Sequence, residues 1–312
     1  MLALTVNIDH QKYLYKQEIS MSSNIKPTIG FVGLGIMGSS MAGHLLAAGY
    51  PVNVYNRSKE KTAALVEKGA KWYDTVGDLA ADSNVIITMV GYPSDVEDIY
   101  LGAGKILDRA KNAYLIDMTT SSPSLAMRIA EEAEKKGCHS LDAPVSGGDI
   151  GARNAKLAIM VGGKQADFDA VLPILKIMGS NIVLQGGPGA GQHTKMCNQI
   201  VIAGTIMGVS EGLAYAKKAG LDASKVMESI GGGAASGFQL LNLGTKMIDG
   251  DFAPGFYVEH FLKDLGIALD EAGKNKLDMP ALSLAKQLYD ALVAKGCGRN
   301  GTQVLYTKYI PE

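Results

Sequence analysis

The chain has 312 residues, enough for two domains, because a single hydrophobic core stops growing at roughly 250 to 300 residues. Its 30 Lys and Arg residues nearly balance its 31 Asp and Glu residues, so no basic excess indicates binding to nucleic acid or to an anionic membrane. The three cysteines form no CxxC pair and no leader-like apolar run opens the chain, so we expect a cytoplasmic protein with a small-molecule ligand.

Residues 1–26 precede the first predicted strand. They contain Asp9 and Glu18 but no arginine, a composition that fits neither a secretory nor a mitochondrial leader. We interpret residues 1–26 as an N-terminal extension, within which Met21 could serve as an alternative start.

The first motif is a glycine-rich turn. A buried strand is predicted over residues 28–33, and an amphipathic helix follows from about Met37 until Gly49 ends it. A GxGxxG turn between them permits a tight bend, close approach of a pyrophosphate to the backbone, and close helix–strand packing. The turn predicts dinucleotide binding, with a merely structural glycine turn as the alternative. The predicted contacts are Gly33, Gly35, Ile36, Met37 and Gly38.

The second predicted strand, Val52–Tyr55, ends in Asn56-Arg57-Ser58. An acidic residue at this position would bind the ribose 2′-hydroxyl of NAD, whereas Arg57 can pair with a 2′-phosphate. We therefore predict that Asn56 and Arg57 contact the cofactor, and that NADP is favoured over NAD. An arginine on a solvated loop is the alternative, because arginine alone does not exclude NAD.

Strands and helices then alternate, which predicts an α/β fold with a Rossmann-type, doubly wound parallel sheet. Ligands of such sheets lie at the carboxyl ends of the strands, so Met89, Val90 and Thr119 are expected near the cofactor. The elements predicted here are a helix over 58–68, a third strand over 85–90, a helix with capping-box spacing at 94–97, a fourth strand over 113–117, and a helix from Pro123 to near Gly137.

A strand over residues 139–141 leads into Asp142-Ala-Pro-Val-Ser-Gly-Gly148. Two glycines after a serine expose backbone N–H groups with no side chain over them, and the serine hydroxyl adds a donor. We predict that Ser146, Gly147 and Gly148 bind a substrate carboxylate, with a plain strand-exit turn as the alternative. Strands over 157–161 and 181–184, around a helix over 166–178, complete this domain.

Helical periodicity replaces the strand pattern near Gly187 and continues to the end of the chain. We therefore predict a dinucleotide-binding domain over residues 27–188 and an all-helical domain over 189–312, which begins with a long interdomain helix. The predicted helices cover 191–219, 223–230, 238–248, 257–272 and 281–295, with a short one near Thr302.

The long predicted helix carries Gly204, Gly208 and Gly212 at four-residue intervals, which allow another backbone to pack closely. Lys195 and Glu211 interrupt its apolar run before ~20 residues accumulate, so we do not expect it to cross a membrane. Core packing or a subunit interface explains the pattern better, and we predict a homodimer or homotetramer.

Lys195 lies at the start of this helix, at the junction of the predicted domains. Oxidation of a hydroxy acid needs a group that takes the hydroxyl proton, and lysine can do so if burial or an oxidised nicotinamide lowers its pKa. A helix-surface lysine is the alternative. His193, two residues away, points elsewhere on a helix, so we predict a capping or packing role for it. No metal-ligand spacing is found.

These motifs, in this order, resemble the β-hydroxyacid dehydrogenase family, which includes 3-hydroxyisobutyrate dehydrogenase, tartronate semialdehyde reductase and glyoxylate/succinic semialdehyde reductase. The matching segments, between residue 28 and about residue 310, are Gly30-Phe-Val-Gly-Leu-Gly-Ile-Met-Gly38, Asp142-Ala-Pro-Val-Ser-Gly-Gly148, Gly189-Ala-Gly-Gln-His-Thr-Lys195 and Phe261-Leu-Lys-Asp-Leu265. The resemblance implies that Lys195 is the catalytic acid–base and that Ser146 and Gly147 bind the substrate carboxylate. It also implies that Asn198 orients the substrate and that Thr119 and Lys263 lie near the nicotinamide half of the cofactor. Some members have the asparagine four residues after the lysine, where this chain has Gln199.

The leading hypothesis is an NAD(P)-dependent oxidoreductase that interconverts a small 3-hydroxy acid, 3-hydroxyisobutyrate-like or glycerate-like, and its semialdehyde. A non-catalytic dinucleotide-binding protein that retains the fold is the alternative. A decarboxylating sugar-phosphate dehydrogenase would need an Arg/Lys cluster in the helical domain, and residues 231–237 supply none. Phe238, Gln239 and the segment near Phe256 are expected to form walls of the substrate pocket.

Overall fold

A computed structural model describes residues 26–310, so Met21 and nearly all of the predicted N-terminal extension lie outside the described residues. The first part of the fold is a single sheet of nine strands. The strands are β1 (Ile29–Val32), β2 (Val52–Tyr55), β3 (Lys71–Trp72), β4 (Val85–Thr88), β5 (Tyr114–Asp117), β6 (His139–Asp142), β7 (Val145–Ser146), β8 (Leu157–Gly162) and β9 (Gly179–Gly186).

Helices alternate with these strands and then make up the rest of the described chain. The α-helices are α1 (Gly38–Ala47), α2 (Ala63–Val66), α3 (Val76–Ala81), α4 (Pro93–Leu101), α5 (Ile106–Arg109), α6 (Pro123–Lys135), α7 (Gly148–Arg153), α8 (Gln165–Leu175), α9 (Ala190–Lys218), α10 (Ala223–Ile230), α11 (Thr245–Asp249), α12 (Val258–Lys274) and α13 (Pro280–Ala294). Three short 3₁₀ helices cover Lys59–Thr62, Cys297–Arg299 and Thr302–Lys308, and a π-helix covers Gln239–Gly244.

The sheet has the order β3-β2-β1-β4-β5-β6-β8-β7, and β9 pairs with the other edge of β8. Strands β1 to β6 are parallel to one another, and β1 pairs with both β2 and β4, as a doubly wound sheet requires. This confirms the predicted fold class: a Rossmann-like domain followed by a helical one.

The sheet is nevertheless not parallel throughout. Strand β8 runs antiparallel to β6 and β7, which the sequence did not predict. Only residues 147–156 separate β7 from β8. This connection is shorter than the dozen or more residues of a parallel crossover, so the chain returns antiparallel.

Other local elements also differ from the prediction. Strands β3 and β7 and helices α3, α5 and α7 were not predicted, because each spans only two to six residues, too few for a readable periodicity. The helix expected to be capped at Ser94 begins earlier, at Pro93, and the Asp95 carboxylate accepts a hydrogen bond from the Tyr92 N–H at 3.1 Å. Proline suits this first helical position, because its missing N–H would have no partner there.

The core has three parts. Alternate residues of the central strands point to opposite faces of the sheet, so Ile87 packs in one hydrophobic cluster and Ile86 in the other. The third cluster joins α9, α12 and α13 around fully buried Ile206, Phe261 and Tyr289.

Helix α9 connects the sheet to the helical domain, since it packs on β8 as well as on α12 and α13. By length and composition it could also span a membrane. One of its sides, however, is buried inside the protein, at Ala203, Ile206 and Leu213. The structure thus places it as a core helix that leaves its other side exposed.

Candidate active site

A cleft of about 630 Å³ lies where β1, β2 and β4 end, and residues of α12 form part of its lining. Of the residues predicted to contact a cofactor, all except Thr119 line it. They are Gly33, Gly35, Ile36, Met37, Gly38, Asn56, Arg57, Met89, Val90 and Lys263.

The glycine-rich turn has the geometry that a dinucleotide needs. Gly33 has a φ of +98°, and a Cβ there would collide with the Met89 carbonyl, while a Cβ on Gly38 would collide with the carbonyl of Gly33. A Cβ on Gly35, in contrast, would meet no atom within 4 Å. Helix α1 begins without a side-chain cap or an acidic residue in its first turn. Its first N–H groups, apart from that of Ser39, which donates to the Gly35 carbonyl at 3.2 Å, are therefore available to a phosphate.

The residues after β2 differ in their roles. The Asn56 side chain braces the glycine turn, because its Oδ1 accepts from the Leu34 N–H at 2.8 Å and its amide donates to the Ser58 carbonyl at 2.8 Å. Arg57 is 90% exposed, and its guanidinium lies 3.8 Å from Asp95. An arginine held so loosely can reach a phosphate in the cleft.

Thr119 lies beneath the cleft rather than in its wall. It is buried, its hydroxyl accepts from the Val90 N–H at 3.0 Å, and its own N–H donates to Asp117 at 3.1 Å. Burial raises the pKa of Asp117 to about 6, although hydrogen bonds from Thr88 and Thr119 act in the opposite direction. The neighbouring residue, Thr120, lines the cleft.

The predicted carboxylate cradle, Ser146–Gly148, runs from the last residue of β7 to the first residue of α7. Pairing of Ser146 with Ala158 of β8 fixes its start, and Gly147 and Gly148 then adopt φ values of +127° and +61°. Such angles are open to glycine at little cost and leave the N–H groups uncovered by side chains. A Cβ on Gly148 would meet only the Gly255 carbonyl, at 3.8 Å, so the segment before α12 faces the cradle.

Lys195 adjoins the cradle. Its side chain is buried, with the residue only 6% exposed, and its Nζ donates to the Val145 carbonyl at 2.9 Å. Burial lowers the pKa of Lys195 to about 8; Lys263 also lowers it, whereas the charge of Asp264 raises it. The solvated helix-surface lysine considered above therefore does not describe Lys195.

Two charged residues of α12 join Lys195 to the cleft. Lys263 donates to the carbonyls of Thr120 at 2.8 Å and Gly91 at 3.2 Å, and it lies 3.0 Å from Asp264. Both Lys263 and Asp264 line the cleft, whereas Lys195 does not. Sequence reasoning missed Asp264, although it follows Lys263 directly in a matched motif, because nothing local indicated its contact with α9.

Asn198 and Gln199 form a chain that ends at Asp264. The Asn198 amide donates to Gln199 Oε1 at 2.7 Å, and the Gln199 amide donates to Asp264 Oδ2 at 2.6 Å. Asn198 is half-buried, whereas Gln199 is fully buried. The orienting role of Asn198 stays a prediction, and Gln199 bonds to a carboxylate that acts on Lys195.

The remaining candidates are His193 and the expected walls of the substrate pocket. His193 is exposed, and Phe238 is 53% exposed. Phe256 lines the cleft as expected, but Phe238 and Gln239 do not. Within residues 26–310, no group of three or more His, Cys, Asp or Glu residues could hold a metal ion.

Comparison with known proteins gives two family matches that together span the described chain. Residues 28–187 match the NAD-binding domain of 6-phosphogluconate dehydrogenase, and residues 189–309 match the NAD-binding domain of NADP-dependent 3-hydroxyisobutyrate dehydrogenase.

Individual relatives agree with this assignment. The chain is 58% identical over 287 residues to an uncharacterized oxidoreductase, YkwC, of Bacillus subtilis, covering 92% of this chain and all of the relative. It is 47% identical over 290 residues to a probable 3-hydroxyisobutyrate dehydrogenase-like protein 1, mitochondrial, of Arabidopsis thaliana, covering 92% and 86%. The solved structure of Mycobacterium tuberculosis 3-hydroxyisobutyrate dehydrogenase with L-serine superposes with a TM-score of 0.83 at 30% identity, covering 91% of this chain and 99% of that structure.

Fold, cleft and comparisons define a dehydrogenase that acts on a CH–OH group with a nicotinamide dinucleotide. More specifically, the chain belongs to the β-hydroxyacid dehydrogenase family. The non-catalytic alternative finds no support in these comparisons.

Proposed function

We propose that the chain interconverts a small 3-hydroxy acid, 3-hydroxyisobutyrate-like or glycerate-like, and its semialdehyde, with Lys195 as general acid and base. The observation that carries the proposal is the buried Lys195 amine, whose pKa is lowered to about 8 and which lies 2.9 Å from the carbonyl preceding Ser146. A proton-transfer group works best when its pKa lies near the working pH.

In the proposed mechanism, Ser146 and the N–H groups of Gly147 and Gly148 bind the substrate carboxylate. When bound, the nicotinamide supplies the acceptor for the hydride that leaves the carbinol carbon. The neutral Lys195 amine takes the hydroxyl proton as the carbonyl forms, and the ammonium returns it during reduction. Asp264 acts on Lys195 by charge, which favours the ammonium form.

The distance between cradle and amine supports a short substrate. Lys195 bonds to Val145, the residue directly before the cradle, so the carboxylate and the reacting hydroxyl must be close in the same molecule. In a 3-hydroxy acid a single carbon separates the carboxyl carbon from the hydroxyl-bearing carbon. Oxidation assays with 3-hydroxyisobutyrate, glycerate and 4-hydroxybutyrate, each with both cofactors, would rank the candidates.

Replacement of Lys195 tests the proposed function. We expect Lys195→Met to reduce turnover by ~10² or more, the scale of general acid–base catalysis, while cofactor affinity stays near wild type. Steady-state kinetics and a cofactor titration measure the two effects. Lys217→Met, at an exposed lysine of the same helix, is the matched control. Near-normal turnover of Lys195→Met would exclude Lys195 as the acid–base.

We further propose that NADP is the preferred cofactor and that Arg57 selects it. Loss of one charge-assisted bond to the 2′-phosphate should raise the KM for NADPH about 10-fold or more in Arg57→Ala and leave the KM for NADH nearly unchanged. Arg109→Ala, which removes an exposed arginine paired with Asp78, is the control. Equal effects on both cofactors would contradict selection by Arg57.

We also propose that the chain divides between residues 188 and 189 and that it is a homodimer or homotetramer. Exposed Val201 and Tyr215 support the second point, because they are 63% and 74% exposed on the side of α9 that the protein leaves uncovered. A Cβ added to Gly204, Gly208 or Gly212 would meet no atom within 4 Å, so another backbone could approach there.

A further inference from the structure

Gln192 stands three residues before Lys195 on α9 and is completely buried. Its carboxamide makes two hydrogen bonds to one loop: Nε2 donates to the Thr119 carbonyl at 2.7 Å, and Oε1 accepts from the Ser121 N–H at 2.9 Å. Its main-chain N–H donates to Asp142 Oδ2 at 2.8 Å. One residue thus connects the start of α9 to the loop after β5 and to the last residue of β6.

The loop over residues 119–121 belongs to the cofactor cleft. Thr120, between the two residues bonded to Gln192, lines the cleft, and its carbonyl accepts from Lys263 at 2.8 Å. The Thr119 hydroxyl accepts from the N–H of Val90, another lining residue. The loop is therefore held by α9 on one side and by α12 on the other.

We propose that Gln192 is a positioning residue, which fixes Lys195 relative to the cleft loop 119–121. Residues three apart share a helix face, so a displacement of Gln192 displaces Lys195 with it. A donor and an acceptor that bond to one loop at two points constrain both the distance and the rotation between helix and loop. An apolar residue of the same size would fill the space without this constraint.

This inference rests on the proposed role of Lys195. Hydride and proton must leave the same substrate in one geometry, and a misplacement of about 1 Å can reduce the rate by about 10²-fold. Gln192 is completely buried and does not line the cleft, so its effect on the reaction passes through Lys195 and the loop. A positioning role should lower the rate of the chemical step and spare cofactor binding.

Two variants test the proposal. Gln192→Met removes both bonds to the loop, and Gln192→Glu keeps the size and the acceptor but loses the donor to Thr119. The substrate is the hydroxy acid that is oxidised fastest in the assays proposed above. With it, we expect the single-turnover rate to fall about 10- to 100-fold in Gln192→Met and several-fold in Gln192→Glu. The cofactor Kd should stay within about twofold of wild type. Gln165→Met, at an exposed glutamine of α8, should match wild type.

Hydrogen exchange gives a readout that needs no turnover. In the cofactor-free protein, amides of residues 119–121 should exchange faster in Gln192→Met than in wild type, because the Ser121 N–H loses its acceptor. Amides near the middle of α9 should not change. The proposal would be overturned if exchange in the loop did not change, or if weaker cofactor binding accounted for the whole loss of activity.

The outcomes separate the inference from the proposed function. If Gln192→Met does not fold, a folded Gln192→Glu with the wild-type single-turnover rate would still overturn the positioning role. If Lys195→Met remains active, the proposed function fails whatever the Gln192 variants do. If Lys195→Met is inactive while both Gln192 variants have the wild-type single-turnover rate, the proposed function stands and only the positioning role of Gln192 is excluded.

Discussion

At the residue scale, the site depends on charges around one buried amine. Burial is the largest influence on the pKa of Lys195, and the charges of Asp264 and Lys263 act in opposite directions. Asp264 is itself fully buried and accepts a bond from Gln199. Its negative charge is therefore held in place and favours the ammonium form of Lys195.

The pH dependence of activity follows from this balance. With the pKa of Lys195 at about 8, the amine predominates above that pH and the ammonium below it. Oxidation should therefore speed up as the pH rises toward 8, and reduction should slow as the pH rises through it. In Asp264→Asn both midpoints should move to lower pH, because the carboxylate that raises the pKa is gone.

Initial rates across a pH series measure these midpoints. Asp270→Asn, at an exposed position of the same helix, is the control and should keep the wild-type profile. A midpoint that does not move in Asp264→Asn, or moves upward, would contradict the assigned effect of Asp264.

At the element scale, the start of α9 decides whether cradle and lysine meet. Both oxygens of Asp142 accept from backbone N–H groups there, from Gly189 and Gln192, each at 2.8 Å. A carboxylate at a helix N-terminus satisfies N–H groups that have no partner within the helix. Since Asp142 ends β6, one residue joins the strand before the cradle to the helix that carries Lys195.

Close approach of α9 to β8 needs glycine at position 191. A Cβ there would collide with the Met160 carbonyl and with Asp142. We expect Gly191→Ala to destabilise the protein by about 1–3 kcal/mol, the usual cost of overpacking, and to reduce activity by displacing the start of α9.

Chemical denaturation and turnover measure both effects of Gly191→Ala. The matched control is Gly266→Ala in α12, where an added Cβ would meet no atom within 4 Å. It should stabilise by roughly 0.5–1 kcal/mol through helix propensity. A Gly191→Ala protein as stable and active as wild type would disprove the need for glycine.

Local signals predicted the elements better than their arrangement. The sequence predicted Val52–Tyr55 and Ala223–Ile230 with the observed bounds, because turn and cap residues flank both. The helix predicted over residues 238–248 is instead a π-helix followed by α11. Nothing local in the sequence distinguishes this wider turn from an α-helix, and the segment packs against α9, which lies far away in the sequence.

The same distinction holds within the candidate site. Glycine spacing predicted the turn at the cofactor cleft, and the ends of predicted strands predicted further cleft residues such as Arg57 and Val90. Position together with the family resemblance singled out Lys195. The contacts between Gln199 and Asp264, and between Gln192 and the loop after β5, join residues 65 and about 70 positions apart. A single sequence carries no pattern for such pairs, which form only when α9 packs against both domains.

At the scale of the whole molecule, the uncovered side of α9 predicts association. Val201→Glu should shift the protein toward monomers, because a buried and unpaired carboxylate opposes the contact. Leu284→Glu, at an exposed leucine of α13, is a matched change outside α9 and should leave the oligomer intact. Light scattering coupled to size exclusion measures the mass of each; a monomeric wild type would contradict the proposal.

One contact links the predicted dinucleotide-binding turn to the predicted carboxylate cradle. His44 of α1 donates from Nε2 to the carbonyls of Ala152 and Arg153, at 2.9 and 3.0 Å, where α7 ends. The same two helices begin at the glycine-rich turn and at the carboxylate cradle. Any shift of α1 upon dinucleotide binding would be passed to α7 through this contact, and thermodynamic linkage would make the effect mutual. Any factor by which the dinucleotide tightens binding of the acid is the factor by which the acid tightens binding of the dinucleotide.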